Sequence, residues 1–203
     1  MIDYIIRRIP CMEAREYIIR HHYSRGCHNR PSPTYGLFDK DALIGVIAFA
    51  MPCSERVRSS VFGETLKGSV IELHRLHILD CTPKNTESWF ISRALKMLKA
   101  ERPDINAVIT FSDTSEGHTG VVYRATNAYS IGSTGRIVFY RDTSGRLRHP
   151  RQCGKNITRA EAGRRGWTPE VRASKNRFLY LLADNKRHKK ELLKLCKYSL
   201  NRR

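Results

Sequence analysis

The segment that most constrains the fold is residues 108–132, which reads VITFSDTSEGHTGVVYRATNAYSIG. Its first four residues, 108–111, are apolar and mostly β-branched or aromatic, which predicts a buried strand. A polar turn follows, and the pattern then predicts a short helix over 118–125 and a second strand over 129–132. A strand, a helix and a strand in such close succession indicate an α/β fold.

Three polar side chains surround the turn in this segment: Asp113, His118 and Tyr123. Polar residues at the carboxyl end of a strand in an α/β sheet face a crevice in which ligands bind. A carboxylate, an imidazole and a phenol at one turn favour a site that transfers protons. The alternative is that the carboxylate only stabilises the turn and the tyrosine packs in the core.

The rest of the chain continues the alternation of strands and helices. The strand pattern over 68–79 slips near Arg75, which predicts a bulge there. The whole order predicts a mixed central sheet flanked by helices, with a basic C-terminal extension. The other predicted strands are 2–9, 35–38, 42–50, 136–141 and 177–182, and the other predicted helices are 12–22, 86–100, 158–165 and 186–198.

Charge divides the chain unevenly. The 37 Lys and Arg against 19 Asp and Glu give a net charge of +18. Residues 1–135 carry a net charge of +3 and residues 136–203 carry +15. We therefore expect a core over 1–135 and a basic extension over 136–203 that completes the sheet and contacts a polyanion, with nucleic acid favoured over a membrane.

Cations alternate with aromatic residues in the extension, where Tyr140 and Trp167 accompany them. This mixture suits phosphate contacts and stacking on an exposed base. No helix-turn-helix or zinc module is visible, so we expect modest sequence specificity. The predicted DNA-contacting residues are Arg146, Arg148, Arg151, Lys155, Arg164, Arg165, Lys175 and Arg177.

Compartment follows from the N-terminus and the cysteines. The opening MIDYIIRRIP is too short and too charged for a secretion signal, so we expect a cytoplasmic protein. The six cysteines form no CxxC pair, and we expect them to be reduced thiols.

Two strings carry a resemblance to a known family: ELHRLHILDCTPKNTESWFISRAL and ITFSDTSEGHTGVVYRATNAYSIGSTG. Together with HHYSRG near the N-terminus, they resemble the Mom family of bacteriophage DNA-modification proteins. The specific element is the combination of Glu72-x-x-Arg75, Lys84-Asn85-x-x-Ser88, Asp113 and Tyr123.

The resemblance implies an acyltransferase-like fold of the GNAT type and a DNA-modifying enzyme. Such proteins convert adenine in phage DNA to N6-carbamoylmethyladenine, which protects the DNA from host restriction enzymes. Carried over by position, Arg75, Ser88, Asp113 and Tyr123 match the family's functional residues. His22 and Tyr23 match its metal-associated pair.

Each of these residues also has a plain structural interpretation. Tyr123 could act as a general acid to a leaving group, or could be a core tyrosine with a satisfied hydroxyl. Asp113 could orient or deprotonate the adenine amine, or could cap the next helix. Arg75 could hold a phosphate or a donor carbonyl, or could pair with Glu72.

The group donor is open. The glycine-rich pyrophosphate loop of acyl-CoA transferases is missing, because Pro83 and Asn85 stand where glycines are expected. A helix N-terminus with Lys84, Asn85 and Ser88 can still bind an anion, although Asn85 could simply be a cap. The donor is therefore acyl-CoA or another glycine- or acetyl-derived group.

The metal is equally open. Adjacent histidines point in different directions on a helix, and the spacing around His22 and Tyr23 is not a zinc-finger spacing. The carbamoylmethyl product is joined through an alkyl carbon, which simple acyl transfer does not make. We therefore keep iron, with His22 and Tyr23 as ligands, as a candidate cofactor.

To reach the amine of a paired adenine, the enzyme would flip the base out of double-stranded DNA. Two other functions remain open: a non-catalytic DNA-binding protein on a GNAT-like fold, and an acyl-CoA N-acetyltransferase of a protein or small molecule. The sequence does not decide the oligomeric state, and a homodimer is compatible with it.

Overall fold

The computed structural model describes residues 4–150 and 157–200. Its chain contacts divide these residues into two compact units. The larger unit comprises the residues up to 111, residues 120–131 and the residues from 178 onward. The smaller unit comprises residues 112–119 and the described part of 132–177. The boundary that charge suggests at residue 135 stays a prediction.

Ten strands in the described residues make two sheets. The first has the strand order β1-β2-β3-β4-β5-β10-β6, and the second has the order β8-β7-β9. The strands are β1 (Tyr4–Arg8), β2 (Thr34–Asp39), β3 (Ala42–Ala50), β4 (Val70–Ile78), β5 (Ala107–Asp113), β6 (Tyr129–Ser133), β7 (Ile137–Arg141), β8 (Leu147–Arg148), β9 (Thr168–Arg172) and β10 (Lys175–Leu181).

In the part of the chain that the structure describes, six α-helices accompany the sheets, and the longest of them packs on the main core. On this helix, the apolar residues at i, i+3 and i+4 spacing are buried, as the pattern predicts: Phe90, Ile91, Ala94, Leu95 and Leu98. The helices are α1 (Cys11–His21), α2 (Glu55–Phe62), α3 (Thr86–Glu101), α4 (Val121–Ala125), α5 (Arg159–Arg164) and α6 (Lys186–Leu195), with short 3-10 helices at Lys67–Ser69 and Thr114–Glu116.

The middle of the large sheet contains a β-bulge in β4 and the point where the pairing between β4 and β5 ends. Ala48 pairs with Arg75 and Phe49 pairs with Leu73, so β4 has one extra residue between these pairs, which confirms the predicted bulge. β4 and β5 run parallel, and their pairing ends at Leu73 and Thr110. Both strands continue beyond that pair, so their carboxyl ends extend past the shared ladder.

The sequence missed some elements and misplaced several boundaries; for example, the helix predicted over 186–198 ends at Leu195. It did not predict α2 or β9, and it did not predict a separate second sheet. The helix predicted over 118–125 begins only at Val121, because Gly120 adopts a left-handed conformation with φ of 78°. The predicted cap of α5 is confirmed, since the Thr158 hydroxyl accepts a hydrogen bond from the Glu161 N–H at 3.2 Å.

Two general expectations can be compared with the described residues. Within 4–150 and 157–200, no helix is long and apolar enough to cross a bilayer. The five cysteines in these ranges are free thiols.

Candidate functional site

Tyr123 projects from α4 in the larger unit and is half-buried. Its ring centroid lies 5.3 Å from that of Phe178. Burial raises the pKa of Tyr123, and a hydrogen bond with the Thr110 side chain opposes that rise. Three charged side chains also act on this phenol: Glu87, Arg75 and Glu72. The larger unit therefore brings the predicted Tyr123 and Arg75 into one electrostatic environment.

Arg75 follows the bulge of β4, and backbone carbonyls hold its guanidinium. Its Nε donates to the Gly26 carbonyl at 2.8 Å, and its Nη1 donates to the His74 carbonyl at 2.6 Å. Glu72 Oε1 lies 3.3 Å from His74 Nδ1, and it forms no ion pair with Arg75 in the described part of the chain. A guanidinium carries five N–H donors, so this anchored group keeps donors for an anion or a carbonyl.

The start of α3 has the geometry of an anion-binding turn. Asn85 occupies the N-cap with φ of 71°, the left-handed conformation that glycine favours, and its side chain makes no capping hydrogen bond within the described residues. The Ser88 hydroxyl donates to the Asn85 carbonyl at 2.9 Å, and Lys84 is exposed beside the turn. Asn85 thus takes the backbone shape of the glycine it replaces, although its side chain does not cap the helix.

His22 and Tyr23 lie directly after α1. The His22 ring is buried, and its Nδ1 accepts a hydrogen bond from the Ser24 N–H at 3.1 Å. Its centroid lies 4.2 Å from that of Tyr23. Among the residues that the structure describes, no group of three or more His, Cys, Asp or Glu side chains is placed to hold a metal ion. The local donor set therefore does not complete the iron site that the resemblance implies.

Asp113 ends β5 and lies in the smaller unit, where cations hold it. Its Oδ2 is 3.1 Å from Lys175 Nζ and 3.7 Å from Arg172 Nη2, and its Oδ1 accepts from the Ser115 N–H at 3.1 Å. Burial alone would raise the pKa of Asp113, but Lys175, the Ser115 N–H and Arg172 together lower it below its ordinary value. His118 is exposed, and its N–H donates to the Asp113 carbonyl at 3.2 Å.

A buried hydroxyl precedes this carboxylate in the chain. Ser112 is 4 % exposed, and its Oγ has no hydrogen-bond partner among the described residues. Buried polar atoms are almost always paired, so this hydroxyl at the end of β5 is an unusual group.

The predicted DNA-contacting cations differ in their surroundings: some form ion pairs with carboxylates and others are exposed. Arg148 Nε lies 2.7 Å from Asp142 Oδ2, Arg165 Nη2 lies 2.6 Å from Glu161 Oε1, and Lys175 pairs with Asp113 as described. Arg146 and Arg164 are exposed. Arg177 has a buried Nε, and Arg151 and Lys155 lie outside the described residues.

Sequence reasoning missed several residues of the two sites. Lys175 was expected to contact phosphate, and nothing in its neighbourhood signals the approach to Asp113, which lies far away in the chain. Arg172 lies on the unpredicted β9 and also pairs with Glu116 at 2.6 Å. Thr110 and Ser112 could have been found, because hydroxyls at alternate positions of a buried strand need partners on one face.

Similarity to solved structures follows the fold. The ribosomal-protein-S5-alanine acetyltransferase from Vibrio fischeri matches with a TM-score of 0.52 and 8% identity, covering 89% of this chain and 94% of that one. An acetyltransferase of the GNAT family from Streptococcus pneumoniae matches with a TM-score of 0.50 and 12% identity, covering 89% and 100%. yncA from Salmonella typhimurium, solved with its cofactor acetyl-CoA, matches with a TM-score of 0.51 and 8% identity, covering 90% and 96%. The predicted GNAT-like fold is confirmed.

Sequence similarity to a curated protein covers a smaller part of the chain than the structural matches do. The methylcarbamoylase mom of Escherichia phage Mu is 35% identical over 128 residues, which are 63% of this chain and 53% of that protein. The chain thus spans about half the length of this curated relative. The model of the Mom protein family matches residues 3–199. The chain therefore belongs to the Mom protein family.

Proposed function

We propose that this protein is a DNA adenine-modification enzyme that attaches a carbamoylmethyl group to the N6 amine of adenine in phage DNA. The family match over residues 3–199, with the 35% identity to a methylcarbamoylase, is the observation that carries the proposal. The modified base would protect the DNA from restriction enzymes, and the protein would act in the host cytoplasm.

The product requires a bond between adenine N6 and the alkyl carbon of the carbamoylmethyl group, while N6 loses one proton and the leaving group on that alkyl carbon departs with its electron pair. The raised pKa of Tyr123 keeps its phenol protonated at neutral pH, which suits a general acid that protonates the leaving group. Thr110 would orient the phenol, and the anchored Arg75 would hold a carbonyl or phosphate of the donor.

Asp113 suits a different role from a strong base. Its lowered pKa means that it is ionised at neutral pH and accepts hydrogen bonds well, but takes protons weakly. It would therefore orient the N6 amine as an acceptor. It would take the N6 proton only once the new bond makes that proton acidic.

The donor and the metal are the less constrained parts of the proposal. The α3 turn with Lys84, Asn85 and Ser88 suits the phosphates of a donor such as an acyl-CoA, and a fold relative was solved with acetyl-CoA. Transfer from the acyl carbon alone would give an N-acyl adenine, so such a donor would have to react through its alkyl carbon. Another glycine- or acetyl-derived donor would use the same turn. Iron at His22 and Tyr23 stays a prediction of the family resemblance, and no step is assigned to it.

The substrate would be double-stranded DNA with the target adenine flipped out, because N6 is otherwise engaged in base pairing. Contacts to DNA from Arg146, Arg164 and the other basic residues of 136–203 are part of this proposal, as is action without a membrane partner. The oligomeric state is not part of it.

Nucleoside mass spectrometry of DNA from cells that express the protein tests the proposal. A new adenosine species with the mass of the carbamoylmethyl product is expected, and it should disappear in the Asp113→Asn and Tyr123→Phe variants. Unmodified DNA together with tight DNA binding would indicate a non-catalytic binding protein instead. Acetylated protein or metabolite would indicate an N-acetyltransferase.

Metal analysis of protein purified without oxygen tests the iron prediction separately. Stoichiometric iron that is lost in His22→Ala would support it. Full activity of metal-free protein would remove His22 and Tyr23 from the site.

A further inference from the structure

The helix α6 presents a stripe of lysines to solvent. We define the α6 stripe as Lys186, Lys190 and Lys194, all of which are exposed. Residues four apart lie on nearly one line of a helix, and each step rises about 6 Å. Leu192 is two residues from both Lys190 and Lys194, so it lies about 200° around the helix from each of them. It is buried at 2 % exposure in an apolar cluster, which points the stripe outward.

Two acidic residues, Asp184 and Glu191, lie near the α6 stripe in the chain. The carboxylates of this region pair elsewhere: Asp184 contacts Lys99 and His188, and Glu191 contacts Arg187. Within residues 4–150 and 157–200, no ion pair involves the stripe. Arg148, Arg165 and Lys175 each have a carboxylate partner. The lysines of the α6 stripe have none among the described residues, so their positive charge is available to an external partner.

We propose that the α6 stripe binds the phosphate backbone of duplex DNA. Successive lysines of the stripe lie about 6 Å apart along the helix, so a line of three positive charges can face the line of phosphates on one strand. The proposal rests on the proposed function in one respect only, the choice of DNA as the polyanion. It assigns a specific surface, on a helix of the larger unit, to part of the polyanion contact that charge predicts for residues 136–203.

An anionic membrane is the less suitable partner. A helix that lies on a membrane inserts its apolar face between lipids. The central apolar residue of α6, Leu192, is already used in the protein core together with Leu179 and Tyr129. The helix also spans only 10 residues.

The test is the salt dependence of binding to a short labelled duplex, measured by fluorescence anisotropy with the full chain. Replacing the three lysines by glutamine should reduce the slope of log affinity against log salt by about 2.7, because each phosphate contact contributes about 0.9. The affinity ratio of wild type to variant should therefore shrink by about 40-fold between 50 and 200 mM KCl. Arginine at the three positions should preserve the slope.

A control variant removes the same charge elsewhere. Arg20, Lys40 and Lys96 are exposed, and no described carboxylate pairs with them, so their triple glutamine variant changes the net charge equally. It should keep the wild-type slope. An equal reduction of the slope in both variants, or no reduction in either, would overturn the proposal. It would also be overturned if the stripe variant lost binding to anionic vesicles but still bound the duplex like the wild type. Circular dichroism confirms that both variants are folded.

The same variants separate this inference from the proposed function. One outcome is that the stripe variant shows the smaller slope of log affinity against log salt while DNA from cells that express the wild-type protein contains no modified adenine. In that case the DNA-binding surface stands and the enzyme assignment fails. If the stripe variant binds duplex like wild type while adenine is modified, the enzyme stands and the surface is wrong.

Discussion

Lys175 Nζ lies 3.1 Å from Asp113 Oδ2 inside the smaller unit. This contact joins the start of β10 to the end of β5, and it makes Asp113 a fixed anion rather than a free base. Arg172 stands 3.7 Å from the same oxygen, so the carboxylate has two cations beside it. Any catalytic role of Asp113 depends on these partners.

The Lys175→Gln variant should raise the pKa of Asp113, because burial then acts with less opposition from positive charge. In the wild type, Asp113 is ionised above its lowered pKa, and the stability it contributes is lost only as pH falls through that value. In the variant, the acid limb of the activity profile should therefore move to higher pH. Carbon NMR of the Asp113 carboxyl group should show the same upward movement.

Lys175→Arg is the matched control, because it keeps the charge and should keep the acid limb in place. An unchanged profile in Lys175→Gln would contradict a positioning role for Lys175. A uniform loss of DNA affinity without a shift in the profile would instead fit the phosphate contact expected from the sequence.

The Tyr123→Phe variant should lose activity by about a hundredfold or more, since positioned acid–base groups contribute about 10² to 10⁴. Its stability should fall by only about 1 kcal/mol, the net value of one hydrogen bond. Rates of adenine modification and thermal unfolding measure the two effects. Thr110→Val removes the same hydrogen bond but keeps the phenol, and should retain more activity than Tyr123→Phe. Near-normal activity in the phenylalanine variant would show that Tyr123 is a core tyrosine.

The Ser112→Ala variant should leave the melting temperature unchanged or slightly higher, because it removes a buried hydroxyl without a partner among the described residues. If that hydroxyl contacts substrate, activity should fall by about tenfold, which corresponds to about 1.4 kcal/mol. Ser92→Ala, at an exposed position of α3, is a comparison for the loss of a serine hydroxyl. Stable and fully active Ser112→Ala protein would remove Ser112 from the site.

The Asn85→Gly variant should be as stable as the wild type or slightly more so, because φ of 71° is free of strain for glycine and the asparagine side chain makes no cap. Asn85→Ala should lose about 1 kcal/mol in the left-handed conformation. Thermal unfolding compares the two. If the turn binds the donor through its backbone, Asn85→Gly should also keep its KM for the donor. A raised KM would assign the contact to the asparagine side chain.

Local pattern predicted most of the elements of the larger unit. The hairpin of β2 and β3 and the helix α3 follow directly from alternation and from the 3.6-residue period. The elements that were missed have weaker local patterns. α2 places only Val61 and Phe62 in the core, and β9 has Pro169 at its second position, which is unusual in a strand.

The sequence by itself determined the class of fold, the family, the excess of positive charge and the candidate site residues, because these depend on periodicity, composition and motif. Only the tertiary structure decided which partners those residues contact and which backbone conformation they adopt. It tied Arg75 to the Gly26 carbonyl, left Asn85 in a glycine-like conformation and turned Lys175 from an expected phosphate contact into the partner of Asp113. The physical reason is that ion pairs, desolvation and the pKa shifts they cause act through space between residues that are far apart in the chain.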